Sequence, residues 1–149
     1  MELSDEIRIK APLDVVYAKL NDPEVLKECI PGCEELIQHS PTELEAKVTL
    51  KVGPIKARFA GNVVLDQADA PTKFSLQGEG KGGVAGMAKG GADVTLSEDG
   101  DGTLLRYTAK AQMSGKIAQL GNRLMLSTAK SLSGKFFDKF AETVEAQVA

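Results

Sequence analysis

The chain has 149 residues, of which 42% are hydrophobic, and it carries a formal net charge of −3 at pH 7. This length suits a single domain, and the hydrophobic share is that of an ordinary globular protein rather than a disordered one. The acidic balance argues against nucleic-acid binding as the main role, because that role needs a basic face. No apolar run approaches the roughly 18 residues that a membrane span requires, so no transmembrane segment is predicted.

Apolar and polar side chains alternate at the N-terminus, which is typical of a half-buried strand. Leu3, Ile7 and Ile9 fall on one side of this segment, residues 2–10. Its acidic, alternating character does not resemble a secretory signal. With two cysteines and no export signal, the chain is predicted to reside in a reducing cytoplasm.

Two short helices are predicted after this strand. Pro12 suits a first helical turn, and the apolar residues that follow it form a short stripe. Asn21 or Asp22 is expected to cap the second helix, with Pro23 at its first position and its end near Cys29.

Cys29 and Cys33, the only cysteines, flank Pro31 and Gly32 in the segment ECIPGCEEL. A structural turn is the favoured interpretation, because proline disfavours helical geometry in the residue before it and glycine accepts positive φ. A disulfide and a metal site are the alternatives. A metal site is disfavoured because the chain adds only His39 to the two thiols, and reactive dithiols are more often spaced C-x-x-C.

Between residues 33 and 114 the apolar period changes to two, which predicts a run of antiparallel strands. The clearest pair flanks Gly53-Pro54 as a hairpin with one dry and one wet face. The polar segment SEDGDG, residues 97–102, is predicted to form a later turn.

A helical period returns from Ser114 or Gly115 and continues nearly to the C-terminus, with an apolar stripe from Ile117 to Val144. Gly121 and Gly134 interrupt it, for which a close approach to the sheet or a slight bend is the expected reason. The predicted fold class is therefore α+β. A strongly curved antiparallel sheet of about seven strands would wrap around one long C-terminal helix in a single domain, residues 1–149.

Many predicted inward positions of the strands carry small side chains, among them Ala46, Ala57, Gly61, Gly78, Gly80, Ala88, Gly90, Ala92, Ala109 and Ala111. Three explanations are open: a helix that packs very close, an apolar cavity that holds a ligand, or glycines that let the sheet bend. The cavity is the favoured one. The hydroxyl of Tyr107 needs a partner if it is buried, so it is a candidate to orient a ligand carbonyl.

The segment GEGKGG, residues 78–83, fits G-x-G-x-x-G, but no helix is predicted after it, so a dinucleotide site is rejected. The glycine-rich stretch is interpreted as a flexible strand connection at a cavity mouth. Val84 and Met87 would there contact a lipid-like ligand or a partner. His39 is expected to be solvated, and no general base partner is identified for it.

Three segments carry a resemblance to a known family. They are IKAPLDVVYAKLNDPEVL from Ile9 to Leu26, CIPGCE from Cys29 to Glu34, and KVGPIKARFAG from Lys51 to Gly61. With the element order, they make the whole chain resemble the CoxG-like proteins of carbon monoxide dehydrogenase, within the helix-grip superfamily called START-like, Bet v 1-like or SRPBCC. Many family members carry a hydrophobic anchor after the last helix. The sequence ends at Ala149, so membrane tethering is not carried over.

The resemblance implies a non-enzymatic protein that holds a hydrophobic small molecule, of the lipid or quinone class, between the sheet and the long helix. It would serve a molybdenum-containing carbon monoxide dehydrogenase or a related hydroxylase in maturation, recruitment or electron transfer. The expected location is the cytoplasm, with peripheral contact at the inner face of the cell membrane. No metal or other cofactor is predicted. The expected lining is Val48, Leu50, Phe59, Phe74, Leu76, Ala92, Val94, Tyr107, Ala109, Leu124, Thr128 and Leu132.

Two alternatives remain. Some START-like relatives are cyclases or hydrolases, so an enzyme acting on an apolar substrate is one, with Tyr107 and Thr128 as the polar candidates. The other is a ligand-free interaction module with a solid core.

Overall fold

The structure, a computed structural model, describes residues 1–148. The chain begins with one strand and two short helices, continues through six strands, and ends in a long helix. The elements are β1 (Glu2–Ile9), α1 (Leu13–Leu20), α2 (Pro23–Cys29), β2 (Cys33–Ser40), β3 (Glu43–Val52), β4 (Ile55–Asp66), β5 (Lys73–Lys81), a first 3₁₀ turn (Gly83–Ala85), β6 (Met87–Asp99), β7 (Gly102–Ser114), a second 3₁₀ turn (Lys116–Leu120) and α3 (Asn122–Val148).

The seven strands form one sheet in the order β1-β7-β6-β5-β4-β3-β2, and every neighbouring pair is antiparallel. The predicted α+β architecture is confirmed, including the strand number and the position of α1 and α2. The Gly53-Pro54 hairpin is also confirmed, because β3 and β4 pair in register from Glu43 opposite Val64 to Val52 opposite Ile55.

Local sequence signals explain the two short helices. Pro12 precedes α1 in an extended conformation. The Asp22 side chain accepts a hydrogen bond from the Glu24 backbone N–H at 3.0 Å, so Asp22 is the cap of α2, with Pro23 at its first position. α2 ends at Cys29 and β2 begins at Cys33, and Gly32 between them has a φ of 75°. The predicted turn between the cysteines is therefore confirmed.

Two boundaries differ from the prediction. The final helix does not begin at Ser114 or Gly115, because β7 continues to Ser114 and a separate 3₁₀ turn precedes α3. Gly115 and Gly121, which flank that turn, have φ values of 80° and 90°, a backbone conformation that interrupts an α-helix. The turn predicted over residues 97–102 is also shorter, because β6 extends to Asp99 and β7 starts at Gly102.

All buried hydrophobic side chains except Leu44 belong to one of two separate clusters. The first core cluster joins β1, α1 and α2 with the start of β5, the second half of β6, the first half of β7 and the second half of α3. Its buried members are Leu3, Ile9, Ala11, Val16, Val25, Cys29, Phe74, Val94, Leu96, Leu105, Tyr107, Phe140 and Val144. The second core cluster is smaller and includes one buried residue from each of the two 3₁₀ turns. Its buried members are Val52, Ala85, Ile117 and Met125.

Candidate ligand site

A band of inward-facing residues separates the two core clusters on the sheet. On β6, Val94 belongs to the first cluster and Ala88 to the second, and Ala92 between them belongs to neither. The same holds on β7, where Ala111 lies between Ala109 and Met113. We call the partly exposed, inward-facing apolar residues of β3 to β7 and α3 that belong to neither cluster the intervening band. It comprises Ala46, Val48, Val63, Leu65, Leu76, Ala92 and Ala111 on the sheet, and Leu124 and Leu132 on α3.

Glycines are required at some positions in this region because a side chain there would meet the backbone of a neighbouring strand. A Cβ atom on Gly90 would overlap the Lys110 carbonyl oxygen, and one on Gly61 would lie 2.8 Å from that of Glu79. These neighbours belong to adjacent strands and not to α3. The contacts therefore support close approach of strands in a bent sheet.

Gly134 differs from those glycines. A Cβ atom there would meet no heavy atom within 4 Å among the described residues, so close approach to the sheet does not explain it. Gly134 instead borders a cavity of about 450 Å³ between β1 and α3, which we call the side opening. The cavity is lined by Leu3, Ser4, Asp5, Ile7, Tyr107, Lys130, Ser133, Gly134, Phe137 and Asp138.

Aromatic stacking forms one wall of the side opening. The rings of Tyr107 and Phe137 stack with centroids 5.3 Å apart, and Phe136 meets Phe137 edge to face at 4.9 Å. The charged side chains of Asp5, Lys130 and Asp138 belong to the same lining. The opening therefore combines an apolar part with charged groups, as ligand sites commonly do.

A larger groove of about 830 Å³ lies on the opposite, outward face of the sheet. Its lining includes Asn62, Gln77, Lys89 and Lys110, which alternate with inward-facing neighbours on their strands. None of the twelve predicted lining residues belongs to it.

The twelve predicted residues fall into three environments. Phe74, Val94 and Tyr107 are buried in the first core cluster, and Ala109 packs against it. Leu50 and Phe59 pack against the second cluster. The rest are partly exposed, and apart from Thr128 they belong to the intervening band: Val48, Leu76, Ala92, Leu124, Thr128 and Leu132. Of the twelve, Tyr107 lines the side opening.

Phe137, Gly134 and Ser133 are side-opening residues that the sequence did not identify. The available signal was Gly134, since a glycine inside a helical stripe costs roughly 1 kcal/mol relative to alanine and needs a reason. Phe137 could not be found from the stripe, because it is adjacent to Phe136 and the sequence does not show which of the two faces Tyr107.

The two candidate hydroxyls have different surroundings. Thr128 Oγ1 donates to the Leu124 carbonyl oxygen at 2.9 Å, one turn earlier in α3, so its proton is already engaged. The Tyr107 side chain is 9% exposed and faces the side opening. Its hydroxyl is therefore the better placed of the two to meet a ligand.

Both cysteines are free thiols, with Cys29 buried and Cys33 half-buried. Burial raises the pKa of the Cys29 thiol, and a hydrogen bond with Thr143 offsets part of that rise. Burial also raises the pKa of the Cys33 thiol, against the effect of nearby Lys27. Raised values keep both thiols protonated near neutral pH, which disfavours nucleophilic and metal-binding roles.

His39 is half exposed, as predicted, but it has a partner that the sequence did not reveal. Its Nε2 lies 2.8 Å from Glu45 Oε2 on the neighbouring strand. Within residues 1–148, no cluster of three or more His, Cys, Asp or Glu side chains is arranged to hold a metal ion. No helix in that same range is both long and apolar enough to cross a membrane.

Comparison with protein families shows the family to which the chain belongs. The profile of CoxG, the G subunit of carbon monoxide dehydrogenase, matches residues 6–145. The chain belongs to the CoxG family. A comparison with curated proteins found no match.

Solved structures agree with the fold of this CoxG-family chain. A conserved protein from Geobacillus kaustophilus is 26% identical, with a TM-score of 0.91 over 98% of this chain and 96% of that one. A START superfamily protein from Mycobacterium smegmatis is 13% identical, with a TM-score of 0.76 and 99% of both chains covered. An aromatase/cyclase from Streptomyces sp. R1128 is 12% identical, with a TM-score of 0.74 over 100% of this chain and 96% of that one. The CoxG-family chain therefore has the START-like fold.

Two of the segments that resemble CoxG proteins lie side by side in the structure. The Thr49 backbone N–H, two residues before the segment that starts at Lys51, donates to the carbonyl oxygen of Gly32 in the CIPGCE segment at 2.9 Å. A side chain on Gly32 would overlap the Thr49 carbonyl group. Glu34 accepts from the Thr49 hydroxyl and forms an ion pair with Arg58 at 3.0 Å. These contacts attach the turn after α2 to the β3–β4 hairpin.

Proposed function

We propose that this CoxG-family protein binds a hydrophobic small molecule between α3 and the inward face of the sheet. The observation that carries the proposal is the intervening band. Apolar side chains such as Val48, Leu76 and Ala92 face inward but stay partly exposed, and they belong to neither core cluster. A solid core would bury such residues completely, whereas a ligand would cover them.

The chemistry of the band favours a lipid or a quinone. Its side chains are aliphatic, so an isoprenoid or acyl chain would be bound mainly by the hydrophobic effect, at about 25 cal/mol for each Å² of apolar surface removed from water. Tyr107 and the charged groups of the side opening would receive the polar head. A quinone carbonyl is a suitable acceptor for the Tyr107 hydroxyl.

The proposed partner follows from the name of the family. A CoxG protein would serve a molybdenum-containing carbon monoxide dehydrogenase or a related hydroxylase, in maturation, recruitment or electron transfer. We place this role in the cytoplasm, with contact at the inner face of the cell membrane. The role is non-enzymatic, since the Thr128 proton is engaged by its own helix and Tyr107 is left without an acid–base partner among the sequence candidates.

The proposal is tested by native mass spectrometry of the purified protein, followed by organic extraction and titration with a short-chain quinone. We expect a co-purifying or added apolar ligand to bind in a one-to-one complex. Ala92→Phe should remove that binding, because the new ring would occupy the band between Leu76 and Ala109, the register partners of Ala92. Ala60→Phe is the matched control, since Ala60 is exposed on the outward face of β4.

Three outcomes separate the possibilities. Loss of the ligand in Ala92→Phe but not in Ala60→Phe would support the site between sheet and helix. Equal binding by both variants would place the ligand elsewhere. If neither lipids nor quinones bound the folded protein, the ligand-binding proposal would be abandoned in favour of a ligand-free interaction module.

A further inference from the structure

Charge is unevenly distributed along this acidic chain. Residues 46–65, 80–92 and 102–137 contain no Asp or Glu, although the whole chain has 21 of them. In these three stretches the only charged residues are basic. Whether the stretches lie close together depends on the fold.

The fold brings the ends of these stretches together at one end of the sheet. The β3–β4 turn approaches the start of α3, since a Cβ atom on Gly53 would lie 2.8 Å from a Leu124 methyl carbon. The two 3₁₀ turns also adjoin, because Ala85 and Ile117 share the second core cluster. We call this region the basic end. Its exposed cations are Lys51, Lys56, Lys81, Lys116 and Arg123.

The cations of the basic end are not neutralised within the molecule. None of the five forms an ion pair with any residue in 1–148, whereas Arg8, Arg58 and Arg106 each do. The carboxylates next to this end have partners of their own. Glu79 is the register partner of Lys89. Glu34 accepts from the Thr49 hydroxyl and forms an ion pair with Arg58. The opposite end of the sheet carries the acidic β6–β7 turn with Glu98, Asp99 and Asp101.

Two of these lysines oppose each other directly. Lys51 and Lys56 are register partners in the β3–β4 hairpin, and both are exposed. Like charges at directly opposite positions destabilise a sheet. Such a pair is unfavourable in the isolated molecule and becomes favourable when an external anionic surface neutralises both charges.

One apolar side chain protrudes among these cations. Val84 is 85% exposed, the highest value among the exposed large hydrophobic side chains of residues 1–148. It is held on the first 3₁₀ turn, whose next residue, Ala85, is only 3% exposed and anchors the turn in the second core cluster. Val84 is thus presented to the outside on an anchored turn.

We propose that the basic end docks on an anionic lipid surface, with Val84 entering the headgroup region and the five cations surrounding it. An acidic protein is the less suitable partner, because specific protein interfaces contain a packed apolar or aromatic centre. The basic end offers a single protruding valine and spread positive charge, which are sufficient for an anionic bilayer. This inference rests on the membrane contact in the proposed function, for which it names the surface, and it is independent of the ligand proposal, which is tested by quinone binding and not by vesicle binding.

A fluorescence experiment tests the docked surface directly. The chain contains no tryptophan, so a Val84→Trp variant has one probe at the tip of the turn. Its emission should shift to shorter wavelength with phosphatidylcholine–phosphatidylglycerol vesicles, remain unchanged with phosphatidylcholine alone, and revert on addition of salt. The control is Val64→Trp, since Val64 is 55% exposed on the outward face of β4 and should show no shift.

Charge variants test the electrostatic part by vesicle co-sedimentation. Lys51→Glu should weaken binding to the anionic vesicles by about fivefold or more, given roughly 1 kcal/mol per basic residue near such a surface. It should not unfold the protein, because it replaces a lysine–lysine pair with an opposite-charge pair. Lys73→Glu, an equal charge change at the start of β5 and at the other end, should leave binding unchanged.

Contrary results are clear. An emission shift in the Val64→Trp variant and not in the Val84→Trp variant would overturn the proposed docking face. Equal weakening of vesicle binding by Lys51→Glu and Lys73→Glu would overturn it as well. Failure of the folded protein to bind anionic vesicles, with retained binding to polyglutamate, would replace the lipid surface by an acidic macromolecule.

Discussion

At the scale of single residues, the least exposed polar side chain is Thr103. It is fully buried on β7, and its hydroxyl donates to the Ala11 carbonyl oxygen at 2.7 Å. Ala11 lies between β1 and α1, so this hydrogen bond links the entry to the short helices with the sheet. The sequence does not reveal the contact, because the two residues are 92 positions apart.

We expect Thr103→Val to lower the free energy of unfolding by about 1–3 kcal/mol, because the buried Ala11 carbonyl loses its donor without a change in shape. Urea unfolding followed by circular dichroism measures the effect. Thr95→Val is the control, since Thr95 is exposed on β6 and should change stability by no more than about 0.5 kcal/mol. Equal stability of Thr103→Val and the parent would contradict the role of this hydrogen bond.

At the scale of elements, α2 and α3 show when local signals suffice. The start of α2 was predictable because the capping contact of Asp22 and the first-turn position of Pro23 involve only residues within one helical turn. The start of α3 was not, because Ile117 and Leu120 of the second 3₁₀ turn continue the apolar stripe. The two elements are separated only by the positive φ at Gly115 and Gly121. These backbone angles follow from the path that the chain takes after it leaves β7.

Gly134 and Gly121 should respond in opposite directions to alanine. Gly134→Ala should raise the free energy of unfolding by about 0.5–1 kcal/mol, because it lies inside α3 and the added methyl group meets open space. Gly121→Ala should lower it, since its φ of 90° is unfavourable for alanine. Chemical denaturation of both variants tests this pair. A destabilising Gly134→Ala would show that the side opening tolerates no added methyl group.

At the scale of the whole molecule, the division of the core into two clusters is the main feature. The first is large and includes α1, α2 and the second half of α3, whereas the second contains four buried residues, two of which lie in the 3₁₀ turns. Regions with few buried apolar contacts open at lower free energy. The basic end is therefore expected to be the less stable part of the fold.

Ile117→Ala tests this difference. It should lower the local free energy of unfolding by about 2–5 kcal/mol, because Ile117 is a 2% exposed member of the second cluster. Hydrogen–deuterium exchange should then increase in the two 3₁₀ turns and the β3–β4 turn, and change little around Leu105 in the first cluster. A uniform increase over the whole sheet would instead indicate one cooperative core.

The sequence by itself determined the element order, the hairpin, the cap of α2 and the resemblance to CoxG proteins. These depend on alternation, capping and short motifs, which act between residues close in the chain. Only the tertiary structure decided where the two clusters separate, that Tyr107 stacks on Phe137, and that Lys51, Lys116 and Val84 share one end. The physical reason is that these relations depend on strand register and on the path of α3 across the sheet. Both are set by contacts between residues far apart in the chain, and local patterns do not specify them.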